Sequence, residues 1–132
     1  MNETEHDTLI AAATRARENA YAPFSNFRVG AAVRSKSGRI YTGCNVENST
    51  YGLTVCAERV ALWKALSEGE REFTQIAVVT SSEPPASPCG ACRQLLWEYC
   101  GDIKVILANL QGFRKTLNLA EIFPRPFDQS SL

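Results

Sequence analysis

The chain has 132 residues, of which 45% are hydrophobic and 21% are charged, an ordinary balance for a globular protein. This length favours one domain, and we expect it to span residues 1–132. Fourteen basic residues balance fourteen acidic ones. That balance argues against a nucleic-acid partner and favours a small-molecule substrate.

No apolar stretch has the length of a membrane span, and the polar N-terminus, Met1 to Asp7, lacks the features of a secretory signal. The five cysteines are an odd number. Reduced thiols are therefore the simplest interpretation, and we expect a cytoplasmic protein without a membrane partner.

Apolar periodicity and turn residues predict nine elements. In chain order they are a helix at 8–20, a hairpin of strands at 27–34 and 39–42, a helix at 56–68, a strand at 76–80, a helix at 89–99, strands at 104–107 and 114–117, and a helix at 119–123. Thr54 is a candidate cap for the helix at 56–68. The continuous apolar run at 76–80 is typical of a central strand, and 114–117 of an edge strand. The order predicts an α/β domain, with a mixed sheet of about five strands flanked by helices.

Three cysteines stand at positions typical of a metal site. Cys56 is followed two residues later by Glu58, and the segment Pro88-Cys89-Gly90-Ala91-Cys92 supplies two more thiols. A structural zinc site is normally closed by four protein ligands, whereas a catalytic site leaves one position for water. Zinc lowers the pKa of that water, and a carboxylate beside it can move protons. The pattern therefore indicates a hydrolytic zinc enzyme.

Each half of this pattern is predicted to lie at the start of a helix. Helix N-termini carry partial positive charge, which stabilises thiolates. Three thiolates around Zn²⁺ leave a net charge of −1, which a nearby cation would offset. Arg59, one turn after Cys56, is placed to be that cation.

Other interpretations of these residues remain open. The Cys-x-x-Cys pair alone is also typical of redox proteins, and Glu58 alone could complement a helix dipole. A closed structural zinc site would need Cys44, Cys100 or His6 as a fourth ligand, and Cys44 is the best candidate of the three. We otherwise expect Cys44 and Cys100 to be small buried residues and His6 to lie on the surface.

Together with two further segments, these motifs resemble a known family. The segments are Phe24-Ser25-Asn26-Phe27-Arg28-Val29-Gly30 and Gly43-Cys44-Asn45-Val46-Glu47-Asn48. With Cys-Ala-Glu-Arg and Pro-Cys-x-x-Cys, they closely resemble the small homotetrameric, zinc-dependent cytidine deaminases of free nucleosides, from about residue 21 to 127. The resemblance implies a three-layer α-β-α fold and hydrolysis of cytidine and 2′-deoxycytidine to uridine and 2′-deoxyuridine, with release of ammonia, in pyrimidine salvage.

The resemblance also implies roles for single residues. Asn45 and Glu47 would bind the sugar hydroxyls, Phe27 would stack on the pyrimidine, and Phe127 would cover the substrate of a neighbouring subunit. Main-chain groups at Ala57 and near residues 87 and 88 would bind the base. Without the resemblance, Asn45 and Glu47 are typical of an ordinary loop. Phe27 and Phe127 would then belong to the chain's own core.

The implied mechanism gives Glu58 every proton transfer: from water, to ring N3, and then to the leaving amine. No organic cofactor is expected. Three rival functions remain: deamination of another aminopyrimidine, as in blasticidin-type enzymes; editing of RNA or DNA; and a zinc-stabilised binding module without activity.

Overall fold

A computed structural model describes residues 3–132, and Met1 and Asn2 of the polar N-terminal stretch lie outside the described part. The strands are β1 Gly30–Ser35, β2 Ile40–Cys44, β3 Phe73–Thr80, β4 Lys104–Asn109 and β5 Arg114–Asn118. The helices are α1 Glu3–Arg17, α2 Ala57–Ser67, α3 Gly90–Cys100 and α4 Leu119–Ile122, with single 3-10 turns at Tyr51–Leu53 and Gln129–Ser131.

The strands form one mixed sheet in the order β2-β1-β3-β4-β5. The pair β3–β4 is parallel, and the other neighbours are antiparallel. The predicted α/β class, the central position of β3 and the edge position of β5 are therefore confirmed. Thr80 and Asn109 end the two parallel strands side by side. The chain that leaves β3 at this edge leads to α3.

Helices cover both faces of the sheet. Ile76 and Val78 of β3 belong to a core shared with α2 and α3, while Ala77 and Val79 belong to a second core shared with α1. This alternation is the period-two pattern of a strand buried on both faces. The result is the expected three-layer arrangement. No helix within residues 3–132 has both the length and the apolar character that a membrane span needs.

Two glycines allow helices to lie very close to the sheet. A Cβ on Gly43 of β2 would lie 2.5 Å from the backbone nitrogen of Ala61 and 2.7 Å from the carbonyl oxygen of Ala57, both in α2. A Cβ on Gly30 of β1 would lie 2.0 Å from the carbonyl oxygen of Ala13 in α1. The absence of a side chain at Gly43 therefore sets the position of α2, which begins at the candidate site.

Several predicted boundaries are wrong: α1 begins at Glu3 instead of residue 8, and β3 at Phe73 instead of residue 76. Two further boundaries are wrong for identifiable reasons. Helix α1 ends at Arg17, because the next residues turn back with short-range bonds such as Glu18 N to Arg15 O (3.2 Å). Strand β1 begins at Gly30 instead of residue 27. The Asn45 side chain binds the backbone at Phe27 and Val29, so this segment is held by a side chain and does not join the ladder.

The predicted helix cap is also wrong. Cys56, not Thr54, is the N-cap residue of α2. The hydroxyl oxygen of Thr54 instead accepts a hydrogen bond from the backbone N–H of Asn48 (3.0 Å), which closes the loop that precedes the helix.

Candidate active site

The three predicted ligands converge at the start of two helices. The sulfur atoms of Cys56, Cys89 and Cys92 all lie within 4.8 Å of one another. Tetrahedral ligation at Zn–S distances of about 2.3 Å requires sulfurs about 3.8 Å apart, so this spacing fits a zinc ion. Within residues 3–132, neither Cys44 nor Cys100 joins this group. The arrangement therefore offers three protein ligands and one open position.

Backbone geometry leaves these sulfurs free to bind a metal. Cys56 and Cys89 are the N-cap residues of α2 and α3, with extended backbone angles, and neither side chain makes a capping hydrogen bond. Cys92 lies in the first turn of α3 and is only 1% exposed. All three sulfurs thus lie near the partial positive charge of a helix N-terminus.

The electrostatics of the group favour an anionic sulfur at Cys56 and oppose one at Cys92. A hydrogen bond with Cys92 lowers the pKa of Cys56, while the same bond and burial raise the pKa of Cys92. Burial opposes the charged form of Arg59, but the three cysteine sulfurs outweigh it and raise its pKa. The buried Nε of Arg59 has no hydrogen-bond partner among the described residues. A half-buried cation facing three thiols fits a Zn²⁺ centre of net charge −1.

Glu58 is buried beside this group, in the first turn of α2. It is 6% exposed, and burial is the main reason that its pKa rises to about 7. A carboxyl with a pKa near the working pH can both accept and return a proton. Its oxygens are not part of the potential metal-binding group. The position suits proton transfer and not ligation.

A cavity of about 210 Å³ opens onto the group, and a second cavity of about 370 Å³ adjoins it. Phe27, Asn45, Ala57 and Glu58 line the first cavity together with Cys56 and Cys89. Glu47 lines the second, and Thr54 borders both. The structure thus brings most of the predicted site residues together and places Glu47 in the adjoining space.

The two predicted sugar-binding side chains also hold the loop together. The Asn45 amide donates to Phe27 O (2.7 Å) and accepts from Val29 N (2.9 Å), which leaves one amide N–H unused by these bonds. Glu47 accepts hydrogen bonds from the backbone N–H groups of Phe24 and Ser25 and from the Ser25 hydroxyl, and these bonds lower its pKa. Glu47 is therefore an anchored carboxylate at the cavity rim.

Phe127 lines neither cavity of its own chain. Its side chain is 60% exposed, and its carbonyl oxygen accepts a hydrogen bond from the Gln94 amide (2.5 Å). The aromatic ring is thus held at the surface, outside the chain's own core.

Thr80, which the sequence analysis did not single out, and Ser87, in the segment expected to bind the base, complete the first cavity. Thr80, fully buried at the end of β3, and Ser87, in the following loop, both contribute to its wall. The hydroxyl of Thr80 also bonds with that of Ser82 (2.9 Å), which ties down the loop that leads to Cys89. Ligands in α/β folds commonly bind at the carboxyl ends of central parallel strands. The position of Thr80 at the end of the predicted central strand could therefore have identified it as a site residue.

Three helix-tip thiols, a buried carboxyl and a small cavity define an enzyme site suited to zinc-assisted hydrolysis. Comparison with known proteins agrees with that class. Residues 3–109 match the family model described as the cytidine and deoxycytidylate deaminase zinc-binding region. The chain belongs to this deaminase family.

Similar proteins cover nearly the whole chain. It is 49% identical to the cytidine deaminase of Sporosarcina psychrophila over 96% of this chain and 93% of that protein. It is 50% identical to the cytidine deaminase of Halalkalibacterium halodurans over 93% and 94%, respectively. The crystal structure of cytidine deaminase from Burkholderia pseudomallei superposes with a TM-score of 0.90 at 48% identity, covering 92% of this chain and 98% of that one.

Proposed function

We propose that this protein hydrolyses cytidine and 2′-deoxycytidine to uridine and 2′-deoxyuridine, with release of ammonia, in pyrimidine salvage in the cytoplasm. The observation that carries this proposal is that the sulfurs of Cys56, Cys89 and Cys92 lie within 4.8 Å of one another, beside a cavity that Cys56, Cys89 and Glu58 line. Relatives that match nearly the full chain are cytidine deaminases, which supports the choice of substrate. We further propose that residues 1–132 act as one domain.

Cys56, Cys89 and Cys92 would hold one zinc ion, and Arg59 would balance the charge of their thiolates. Bound zinc would supply a water of lowered pKa for attack on the substrate. Because the ligands lie at helix N-termini, backbone N–H groups would help Arg59 to reduce the electron density on the sulfurs.

Glu58 would be the general acid and base. Its carboxylate accepts a proton from the attacking water and delivers it to ring N3, which prepares C4 for attack. It then takes the proton of the new C4 hydroxyl and passes it to the exocyclic amine, so that the C4–N bond breaks, the C4 carbonyl forms and ammonia leaves. Burial supports this role, since a pKa near 7 allows the same group to gain and lose a proton within one cycle.

The cavity walls would hold the nucleoside in place. Phe27 would stack on the pyrimidine, and the main chain at Ala57 would bind the base. The remaining amide N–H of Asn45, in the first cavity, and the anchored carboxylate of Glu47, in the adjoining one, would bind the sugar hydroxyls. Glu47 is suited to accept from a hydroxyl, because its pKa is lowered and it stays ionised.

We propose that the working enzyme is a homotetramer in which Phe127 covers a neighbouring subunit's substrate. Large apolar side chains support assembly, since Phe127, Tyr51 and Leu53 are 60%, 79% and 69% exposed. Light scattering should give a mass near that of four 14.5 kDa chains. Phe127→Ala should raise KM while zinc content stays at the wild-type level. A fully active monomer would refute the shared site.

A substrate panel tests the proposed reaction. The purified protein is incubated with cytidine, deoxycytidine, cytosine, blasticidin S and a cytosine-containing oligonucleotide, and loss of the aminopyrimidine absorbance is followed. Turnover of the two nucleosides well above the rest is expected. Preference for blasticidin S or for the oligonucleotide would replace the proposal by that rival, and activity on none of them would favour a binding module.

A further inference from the structure

Arg93 makes three separate hydrogen bonds beside the metal-binding cysteines. It follows Cys92 directly in α3, and each of its guanidinium nitrogens has its own acceptor. Nε donates to Pro88 O (2.8 Å), one terminal nitrogen to Ile122 O (2.7 Å) and the other to the Ser87 hydroxyl (2.8 Å). All three acceptors are neutral oxygens, so this arginine acts through its geometry and not through an ion pair.

Two of these bonds hold the segment that immediately precedes Cys89. Pro88 is buried, and Ser87 contributes to the wall of the cavity. Cys89 itself makes no capping hydrogen bond with its side chain, so its sulfur is positioned by its backbone. The segment 87–88 therefore helps to fix this ligand, and Arg93 holds that segment through the Pro88 carbonyl and the Ser87 hydroxyl.

The third bond links this loop to the C-terminal part of the chain. Ile122 is the last residue of α4, where backbone carbonyls lack partners within the helix. Arg93 satisfies one of them. Nearby on α3, Gln94 and Trp97 bond to Phe127 O (2.5 Å) and to the Asp128 carboxylate (3.0 Å). The C-terminal segment is thus attached to the same helix that carries Cys92.

We propose that Arg93 is a positioning residue that holds Cys89 at metal-binding geometry by bracing residues 87 and 88 against the end of α4. This inference rests on the zinc ligands assigned in the proposed function. A lysine cannot replace the arginine, because its single ammonium cannot reach three acceptors that are contacted by three different nitrogens. Arg93→Lys therefore keeps the positive charge but loses the hydrogen bonds that hold residues 87 and 88.

The test measures metal binding and not turnover. Full-length wild type, Arg93→Lys and Arg93→Ala are compared in a zinc competition titration with a chromogenic chelator at fixed pH. Partners that orient a ligand typically contribute about 10- to 100-fold to metal affinity, and we expect a loss in that range for both variants. The visible spectrum of the Co²⁺-substituted protein should also change, because its bands report ligand geometry.

Arg71→Lys is the matched control. Arg71 likewise donates to main-chain carbonyls, of Leu66 (2.9 Å) and Glu70 (2.7 Å), but beyond the far end of α2. Its substitution should change neither zinc affinity nor the Co²⁺ spectrum. Should both Arg93 variants fail to fold, Ser87→Ala removes one of the three bonds and should weaken zinc binding to a smaller extent.

Wild-type zinc affinity and an unchanged Co²⁺ spectrum in a folded Arg93→Lys protein would overturn the inference. An equal loss in Arg71→Lys would do the same, since the effect would then be one of general stability. For the Ser87→Ala fallback, unchanged zinc affinity is the overturning result. A wild-type protein that binds no zinc would instead refute the metal assignment on which the inference rests.

Discussion

Adding one methyl group at Gly43 should damage catalysis without touching any reacting group. A Cβ at this position would lie 2.5 Å from Ala61 N and 2.7 Å from Ala57 O, whereas ordinary contacts begin at 3.4 Å. Both neighbours are backbone atoms and cannot rotate away. Helix α2 must therefore shift by about 0.9 Å, because packed interiors have no free space to absorb the overlap.

The shift would reach the proposed site directly, because Cys56 is the N-cap of α2 and Glu58 lies in its first turn. A misplacement of about 1 Å can lower a rate about 100-fold, and overpacking typically destabilises by about 1–3 kcal/mol. We expect Gly43→Ala to lose activity of that order per folded molecule. The assays are kcat/KM on cytidine, zinc content per chain and urea unfolding.

Gly30→Ala separates displacement of the site from loss of stability. Its Cβ would lie 2.0 Å from Ala13 O, so it displaces α1, a helix that lines neither cavity. Gly30→Ala should be destabilised at least as strongly as Gly43→Ala but retain far more activity per folded molecule. Wild-type kcat/KM in a folded Gly43→Ala protein would refute the reasoning.

Three further predictions concern the site itself. Glu58→Gln should keep zinc but lose at least about 10²–10⁴-fold in rate. Because the pKa of Glu58 is raised to about 7 in the folded protein, its ionisation destabilises the wild type as the pH rises towards that value. Urea titrations should therefore show the variant gaining stability relative to the wild type between about pH 5 and about pH 8. Near-normal turnover would reduce this carboxylate to a helix-end charge. Cys92→Ala should lose zinc in metal analysis while Cys44→Ala keeps it, and the reverse would favour a closed structural site. Cytosine should be a far poorer substrate than cytidine. Glu47→Ala should reduce this difference in rate, because it lowers the rate on cytidine most. Equal rates on base and nucleoside in the wild type would contradict sugar binding.

The sequence predicted those parts of the fold that depend on local pattern. The apolar run at 76–80 identified the central strand, because only a strand covered on both faces is apolar at every position. The spacing of Cys56, Cys89 and Cys92 predicted the thiol group, since ligand spacing follows from the geometry of a helix start.

What could not be predicted depends on contacts between distant segments. The Asn45 side chain delays the start of β1 by binding a segment sixteen to eighteen residues earlier in the chain. The bond between Arg93 and Ile122 spans twenty-nine residues. No periodicity records such pairs, so the sequence alone does not assign Arg93 its three hydrogen-bond acceptors.

The positions of the cysteines predict that this fold depends on a bound metal. Ser, Thr, Asp or Asn at an N-cap stabilises a helix by about 0.5–2 kcal/mol, yet both α2 and α3 have a cysteine there that makes no capping bond. Thiol burial and the unpaired Nε of Arg59 add further unfavourable terms at the same point. Zinc would offset all of them together, since two metal–sulfur bonds would replace the two missing caps and the thiolates would give Arg59 anionic neighbours. Metal binding and helix docking should therefore be one cooperative event, in which removal of zinc loosens both helix starts before the sheet unfolds.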